Sequence, residues 1–522
     1  MTGLPHPDRL SLAQLVAQMI VVRASGYLFD HQIQYPDWEP NQATLRGLIQ
    51  DFGVGGVILL GGSAAELAYR CQELQSWAPI PLLIAADIEE GVGQRFVGAT
   101  QFPPLGALGS IAQKDLERAK ELATAMGAAT AQEAIALGLN WILGPVVDVN
   151  NNPQNPVINV RAFSDRPEIV AQLAMAFIAG TRPYPVLTAA KHFPGHGDTQ
   201  TDSHLELPVL SHPRDRLEKL EWPPFAAAIA ADVDAVMTAH LLLPALDKDV
   251  PATLSEPILT EILRQELGFE KLIVTDALVM GAIAHRYGVN EAPLLALEAG
   301  ADILLMPGDP AGAIAAIVAA VETGRVSRER IQRSVERIFQ AKERVFVQSP
   351  PVSLRDLHQP AAVQTAQAIT QESMVQIPLE PVASGLNCII VDNILNCPFL
   401  NRQAPALQIP PKLGHTKELI IDQRMPSPAI AHLPTPPTLI QIFSRGNPFR
   451  GSAGLNVTAR EVISHYLKNR AIAGLIVYGS PYIFQELSAQ LSPESPCLFS
   501  YSQDAAAQEE IFSFMSSMSF IK

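Results

Sequence analysis

Residues 186–204 read Val-Leu-Thr-Ala-Ala-Lys-His-Phe-Pro-Gly-His-Gly-Asp-Thr-Gln-Thr-Asp-Ser-His, an apolar run followed by a polar, glycine-bearing segment. The first five residues are typical of a buried β-strand. The fourteen residues from Lys191 include three histidines and two aspartates, a density that a purely structural loop does not require. The stretch therefore predicts a buried strand whose exit carries the catalytic site.

Similar apolar runs alternate with helix-length segments through the first two-thirds of the chain. Together with the first they make eight, at 19–22, 54–60, 81–88, 141–149, 186–192, 235–243, 272–280 and 301–306. This alternation predicts an α/β fold with a parallel sheet, and eight units favour a TIM-like (β/α)8 barrel. An open doubly wound sheet is the competing architecture. Helices are predicted at 115–136 and 327–345 from their composition and periodicity.

Polar side chains stand at the ends of five of these predicted strands. In barrel enzymes the carboxyl ends of the strands hold the active site, so these side chains are expected to converge on one mouth. Any one of them could instead be a hydrogen-bonded structural group. The residues are Asp87, Asp148, Lys191 with His192, His240 and Asp276.

The chain is predicted to form a barrel over 1–347, a linker over 348–359 and a smaller C-terminal α/β sandwich domain over 360–522. The linker is indicated by Gln-Ser-Pro-Pro-Val-Ser from residue 348. Strand-like runs follow at 388–392, 439–443, 474–478 and 497–501, with a helix at 459–468. The proline-rich stretch 405–437 is left unassigned and is treated as an irregular excursion.

The net charge, the apolar runs and the cysteine spacing limit the partners and the kinds of site that the protein can have. A formal net charge of -15 argues against nucleic acid and anionic membranes as partners. No apolar run approaches the ~18 residues of a membrane span, and the N-terminus does not resemble a secretory signal, so a cytoplasmic protein is expected. The cysteines, Cys71, Cys388, Cys397 and Cys497, lack the spacing of a disulfide framework or zinc site. No cofactor is predicted.

The catalytic hypothesis joins two elements. Asp276, at the end of an apolar run, suits a covalent nucleophile, and the less favoured alternative is an aspartate that caps the next helix. In an extended loop Asp202 and His204 point the same way, so the carboxylate can orient the imidazole as a general acid and then base. From spacing alone, an ordinary exposed loop pair is the commoner case. Together the two elements suit retaining glycoside hydrolysis, with Lys191, Arg161, Arg95 and Asp87 contacting sugar hydroxyls.

The sequence resembles glycoside hydrolase family 3, in its β-N-acetylhexosaminidase branch. The resemblance is carried by 191–204, by Asn-Pro-Val-Ile-Asn-Val-Arg-Ala-Phe at 155–163, by Met-Thr-Ala-His at 237–240 and by Val-Thr-Asp-Ala-Leu at 274–278. It implies a TIM-like barrel with Asp276 as nucleophile, His204 as acid/base and Asp202 as its partner. It also implies substrate contacts at Asp87, Arg95, Arg161, Lys191 and His192. Cytoplasmic members of that branch release N-acetylglucosamine from 1,6-anhydro-N-acetylmuramic acid in muropeptides.

The chain departs from the family pattern after the third strand. It has Asp-Ile-Glu-Glu-Gly-Val at 87–92 where similar proteins have Asp-Gln-Glu-Gly-Gly-Arg. Asp87 and Arg95 keep the family's offset, so sugar binding is expected to survive, but the backbone path between them is left open because glutamate cannot take every conformation open to glycine. Alternatives within the family are a β-glucosidase and a glycoside phosphorylase. A metal-dependent barrel hydrolase is a further alternative, with ligands from His192, His196, Asp198, Asp202, His204 and His240. A non-catalytic sugar-binding protein is the last.

Overall fold

The computed structural model describes residues 4–203, 205–346, 352–375, 382–446 and 451–516. The predicted acid/base His204 and residues 348–351 of the predicted linker lie outside these ranges. The chain divides into two compact units: the first comprises Met1–Asn152 and Arg161–Ala366, and the second comprises Pro153–Val160 and Gln367–Lys522. In the described part of the chain, no helix is both long and apolar enough to cross a membrane.

The first unit is built from parallel strands and the helices between them. Its strands are β1 (Ile20–Ser25), β2 (Gly56–Leu60), β3 (Leu83–Ala86), β4 (Trp141–Ile142), β5 (Leu187–Phe193), β6 (Ala235–Thr238), β7 (Leu272–Val274) and β8 (Leu304–Leu305). Its helices are α1 (Leu12–Gln18), α2 (Gln42–Gln50), α3 (Ala64–Trp77), α4 (Leu105–Ala112), α5 (Leu116–Ala136), α6 (Pro167–Thr181), α7 (Arg214–Lys219), α8 (Pro223–Ala230), α9 (Gly281–Tyr287), α10 (Glu291–Ala299), α11 (Pro310–Glu322) and α12 (Arg328–Phe346). A π-helix spans Pro257–Glu266, and short 3-10 helices span Pro7–Arg9, Asp30–Gln32, Val92–Gln94, Ala252–Leu254 and Leu354–Asp356.

The eight strands form a closed parallel barrel. Neighbouring strands pair in the order β7-β6-β5-β4-β3-β2-β1-β8, and a parallel bridge between Val274 and Ile303 joins β7 to β8. The strands are short and almost wholly buried, and because both of their faces are covered, each appears in the sequence as a continuous apolar run. All eight predicted strands are confirmed, as are the helices predicted at 115–136 and 327–345.

The amino-terminal rim of the barrel is held by a repeated polar contact. Asn140, Asp234 and Asp302 precede β4, β6 and β8. Each side chain accepts a hydrogen bond from the second residue of the preceding strand: Ile84 N at 2.7 Å, Thr188 N at 3.0 Å and Ile273 N at 3.1 Å, respectively. Because function in this fold lies at the opposite rim, these contacts serve stability.

The second unit is a five-stranded parallel sheet with helices on both faces, as predicted for a small α/β sandwich. Helix α13 (Pro360–Ser373) begins in the first unit and ends in the second. The strands β9 (Leu386–Val391), β10 (Lys417–Ile421), β11 (Thr438–Ser444), β12 (Ile472–Gly479) and β13 (Cys497–Ser500) pair in the order β10-β9-β11-β12-β13. The remaining helices are α14 (Pro405–Gln408), α15 (Ser427–Ile430), α16 (Val457–Lys468), α17 (Pro481–Ser488) and α18 (Ala505–Ser516), with 3-10 turns at Ile394–Asn396 and Pro410–Leu413. A further 3-10 turn, Asn159–Arg161, begins in the second unit and ends in the first.

Two apolar cores lie on opposite faces of this sheet. Side chains of α16 and α17 pack on one face, and side chains of α14 and α18 pack on the other. The treatment of 405–437 as irregular was wrong, because this stretch contains β10 between two short helices. The strand was missed because it is a short edge strand whose first two residues, Lys417 and Glu418, are exposed.

Candidate active site

The polar strand ends predicted from the sequence lie at the carboxyl rim of the barrel. β5 contributes two adjacent side chains, because its pairing with β6 passes from Lys191 opposite Met237 directly to Phe193 opposite Thr238. His192 is the extra residue of this bulge, and a bulge breaks the usual alternation of side chains. Lys191 and His192 consequently both join the polar network described below.

Four charged side chains alternate in sign within this network. Lys191 Nζ lies 2.8 Å from Asp87 Oδ1 and 2.6 Å from Glu89 Oε1. Glu89 in turn receives two hydrogen bonds from Arg161, Nε to Oε2 at 2.9 Å and Nη2 to Oε1 at 2.8 Å. The Lys191 and Glu89 side chains are only 2% and 3% exposed, whereas that of Asp87 is 34% exposed. Asp87 is therefore the most exposed member of this set.

The ionisation of these groups follows from their mutual attraction. Burial opposes the charged form of each, but the positive charge of Lys191 lowers the pKa of Asp87, with Arg95 adding to the effect. For Glu89, burial is outweighed by Arg161 and Lys191, which hold its pKa well below the usual range. Burial would likewise lower the pKa of Lys191, yet Asp87 and Glu89 raise it. The four groups therefore stay charged around neutral pH.

Asp148 and His192 form the second part of the site. His192 Nδ1 lies 2.7 Å from Asp148 Oδ2, and the backbone N–H of His196 donates to Asp148 Oδ1 at 2.7 Å. Burial opposes ionisation of Asp148, but the charge and hydrogen bond of His192 lower its pKa. His192 Nε2 lies 3.5 Å from Arg161 Nη2. Asp148 thus orients the imidazole toward the cations.

The loop after β5 is organised around His196. Its ring nitrogens contact two hydroxyls of the same loop: Nδ1 lies 2.8 Å from Thr199 Oγ1, and Nε2 lies 2.9 Å from Ser203 Oγ. Burial, together with the charge of His192, lowers the pKa of His196 to about 4, so the ring is neutral near pH 7. The predicted partner of the acid/base, Asp202, is buried beside Ser203 and its carbonyl accepts from Leu205 N at 3.0 Å.

The predicted nucleophile Asp276 lies two residues beyond β7 and is partly exposed. Its Oδ1 accepts a hydrogen bond from Ala277 N at 2.8 Å, and its negative charge acts on His196 in the direction that raises the imidazole pKa. His240 Nε2 lies 3.0 Å from the carbonyl of Ala277. Since a carbonyl only accepts, Nε2 carries the proton and His240 supports the turn that holds Asp276.

The segment that departs from the family pattern keeps a compact turn. Gly91 adopts a left-handed conformation with φ 81, whereas Glu90 does not, so the glutamate does not stand where glycine is required. Glu90 N donates to Gln94 Oε1 at 3.0 Å, and Arg95 Nε donates to the carbonyl of Asp87 at 3.0 Å. Arg95 therefore remains next to Asp87, as its offset in the sequence predicts.

The structure brings together Asp87, Arg95, Arg161, Lys191 and His192, and it places Asp276 and Asp202 on loops at the same rim. Sequence reasoning missed Glu89, which touches both Lys191 and Arg161. The available signal was its position two residues after Asp87, on the same side of an extended strand exit. The loop contacts of Asp198 were also missed and are described below.

The histidines proposed as metal ligands are engaged in hydrogen bonds. His192, His196 and His240 each have both ring nitrogens near a protein partner. Among the residues that the structure describes, no group of three or more His, Cys, Asp or Glu is placed to hold a metal ion.

Comparison with known proteins supports the family resemblance found in the sequence. The model "Glycosyl hydrolase family 3 N terminal domain" matches residues 11–341, and "Bacterial Glycosyl hydrolase family 3 C-terminal domain" matches residues 379–516. Beta-hexosaminidase A of Pseudoalteromonas piscicida is 34% identical over 371 residues, which are 64% of this chain but only 62% of that relative. Beta-hexosaminidase of Nitrosomonas eutropha is 35% identical over 300 residues, covering 56% of this chain and 86% of that relative.

A solved structure matches almost the whole chain. It is the glycoside hydrolase family 3 beta-N-acetylglucosaminidase from Paenibacillus sp. str. FPU-7, with a TM-score of 0.79, 29% sequence identity and 97% coverage of each chain. The predicted resemblance is thereby confirmed. The first family model alone spans well over half of the chain and coincides with the barrel that carries the charged network. The chain therefore belongs to glycoside hydrolase family 3.

Proposed function

We propose that the protein is a retaining exo-β-N-acetylglucosaminidase that removes terminal β-linked N-acetylglucosamine through a covalent glycosyl-aspartate. The observation that carries the proposal is the partly exposed Asp276 carboxylate at the same rim as the network of Asp87, Lys191 and Arg161. Curated relatives named β-hexosaminidase support the choice of sugar.

In the proposed first step, Asp276 attacks the anomeric carbon and displaces the aglycone oxygen. The hydrogen bond from Ala277 N to Oδ1 helps to orient the Asp276 carboxylate for this attack. His204, oriented by Asp202, protonates the departing oxygen. In the second step the neutral imidazole takes a proton from a water molecule that attacks the anomeric carbon, and Asp276 leaves as a free carboxylate. Both roles of His204 are carried over from the sequence motif.

The charged network has the role of holding the sugar. Ionised Asp87 accepts hydrogen bonds from a pair of hydroxyl groups, while Arg95, Lys191, Arg161 and His192 surround it with donors and positive charge. Because Asp87 is already paired with Lys191, little rearrangement is needed on binding, and a preorganised site keeps binding energy available for the transition state.

The natural substrates proposed from the family resemblance are muropeptides in which N-acetylglucosamine is linked to 1,6-anhydro-N-acetylmuramic acid. This substrate would place the protein in peptidoglycan turnover in the cytoplasm. Incubation with such muropeptides, followed by mass spectrometry, should show loss of one N-acetylhexosamine unit. Intact muropeptide under conditions in which an aryl N-acetylglucosaminide is hydrolysed would contradict the substrate but not the activity.

A panel of aryl β-glycosides tests the proposed activity. Wild-type protein should hydrolyse the N-acetylglucosaminide much faster than the glucoside. In a proton NMR time course, the β-anomer of the released sugar should appear first. Preference for the glucoside would favour a β-glucosidase, and release of sugar 1-phosphate on adding phosphate would favour a phosphorylase. Loss of activity on treatment with a strong chelator would favour the metal-dependent alternative. Binding without turnover would favour a sugar-binding protein.

A further inference from the structure

A cluster of charged side chains holds the outer edge of the loop after β5. Asp198 Oδ2 lies 2.8 Å from His212 Nε2 and 2.9 Å from Arg216 Nη2. Arg216 also contacts His212 Nδ1 through Nη1 at 3.3 Å and Glu221 Oε1 through Nη2 at 3.3 Å. We refer to Asp198, His212, Arg216 and Glu221 as the loop anchor. Three of its four members come from α7 and the residues that flank it.

The hydrogen bonds of the loop anchor are mutually consistent. A guanidinium has only donors, so His212 Nδ1 must accept from Arg216. The proton of a neutral imidazole then lies on Nε2, where it donates to Asp198. Asp198 is thus the acceptor of two hydrogen bonds, one from each neighbour, and its position is fixed in two directions.

The loop anchor also fixes the first turn of the loop. Gly195 has φ 127, and a Cβ at this residue would lie 2.7 Å from Glu221 Cβ, so the loop packs directly on the buried glutamate. At Gly197 a Cβ would lie 1.7 Å from the carbonyl oxygen of Val149. The path of the chain from Gly195 to Asp198 is therefore set by close contacts on both sides.

The far end of the loop is held separately. Val209 forms a parallel bridge with Leu242, and Leu210 N donates to the carbonyl of Leu242 at 2.9 Å. Between these two ends the His196 ring contacts Thr199 Oγ1 and Ser203 Oγ. Asp202 and His204 follow Asp198 by four and six residues along the chain, so Asp198 is one of the contacts that fix the segment on which they lie.

We propose that Asp198, His212 and Arg216 are positioning residues that hold the loop carrying Asp202 and His204 in its catalytic placement. The inference rests on the proposed function, because it assigns the cluster to support of the general acid/base. Without the cluster, protonation of the leaving group suffers while attack by Asp276 does not. The defect should therefore depend on the leaving group.

The test compares Asp198→Asn with wild type on two aryl N-acetyl-β-glucosaminides. A dinitrophenolate leaves without a proton, whereas an unsubstituted phenolate needs general acid help, which is worth about 10²–10⁴-fold. We expect kcat/KM to fall by roughly 10–100-fold for the phenyl substrate, part of that contribution, and less than about 3-fold for the dinitrophenyl substrate. Added azide, which attacks without base assistance, should increase turnover of the dinitrophenyl substrate and yield the glycosyl azide.

Arg214→Gln is the matched control, because Arg214 lies on the same helix but pairs with Glu218 and Glu266 outside the loop anchor. It should leave the ratio of the two kcat/KM values unchanged. If Asp198→Asn does not fold, His212→Ala replaces it, and His212→Gln should rescue the defect because its amide can still donate to Asp198.

The outcomes separate this inference from the proposed function. Wild-type protein that turns over neither substrate would overturn the proposed function, and the loop anchor's role with it. Normal wild-type turnover, with equal losses on both substrates or no loss in Asp198→Asn, would overturn the role of the loop anchor alone.

Discussion

Replacement of Glu89 by glutamine removes a charge from the centre of the network with little change in shape. Glu89 is the shared counterion of Lys191 and Arg161, at 2.6 Å and 2.8 Å respectively. In wild type, Asp87 and Glu89 balance these two cations. In Glu89→Gln one positive charge remains uncompensated among buried groups, and the amide N–H₂ must face a cation at one of its contacts.

The magnitude follows from burial. Removing one partner of a buried, hydrogen-bonded ion pair costs about 3–5 kcal/mol, because the other charge is left without compensation. We therefore expect a loss of this order in the free energy of unfolding, measured by urea denaturation. Displacement of the two cations by about 1 Å should lower kcat/KM on an aryl N-acetylglucosaminide by about 10²-fold. The pKa of Lys191 should also fall relative to wild type, because Asp87 is then its one remaining carboxylate partner of the two.

Glu117→Gln is the control for Glu89→Gln. Glu117 pairs with Lys120 at 2.9 Å on the surface of α5, where its side chain is 77% exposed. Exposed pairs contribute about 0–1 kcal/mol, so stability and kcat/KM should both stay close to wild type. If Glu89→Gln were as mild as this control in both assays, the reasoning that Glu89 organises the cations would be refuted.

Three further results are expected. The unfolded protein binds a proton at His196 below pH 6.5, but the folded protein does so only below about pH 4. The free energy of unfolding should therefore fall by roughly 2 kcal/mol between pH 6.5 and 4.5. In urea titrations, His196→Asn should reduce this loss. Burial lowers the pKa of Lys342 from 10.5 to about 7, so above pH 7 the unfolded state binds more protons than the folded state. The free energy of unfolding should therefore rise by roughly 2 kcal/mol from pH 7 to 9 in wild type, and this rise should be absent in Lys342→Met. Asp302→Asn should cost about 3–5 kcal/mol in chemical denaturation because it leaves Arg264 and Arg337 short of a buried counterion, and a cost below 1 kcal/mol would show that these contacts do not hold the rim.

Much of the barrel could be predicted because its strands are buried on both faces and leave unbroken apolar runs. The ends of those runs also revealed Asp87, Lys191 and Asp276, since the topology of a parallel barrel brings all carboxyl ends to one rim. The edge strand β10 left no such signal, because its exposed start and proline-rich surroundings are typical of a loop.

The contacts between side chains were harder to predict from the sequence than the rim on which those side chains lie. Glu89 meets Arg161 across 72 residues of sequence, and spacing within a segment says nothing about a contact at that separation. The grouping of Pro153–Val160 with the second unit could not be predicted either, because the composition of the chain does not change there. The domain boundaries proposed from the sequence, and the roles of Asp202, His204 and Asp276, stay predictions.

The central claim is that Asp276 forms the covalent bond to the sugar, and trapping of that intermediate tests it most directly. A 5-fluoro N-acetylglucosaminyl fluoride loses its anomeric fluoride to the nucleophile and then turns over slowly. Peptide mass spectrometry of the inactivated protein should find the added glycosyl mass on the peptide that contains Asp276, and no label in Asp276→Asn. Label on a different carboxylate would contradict the account.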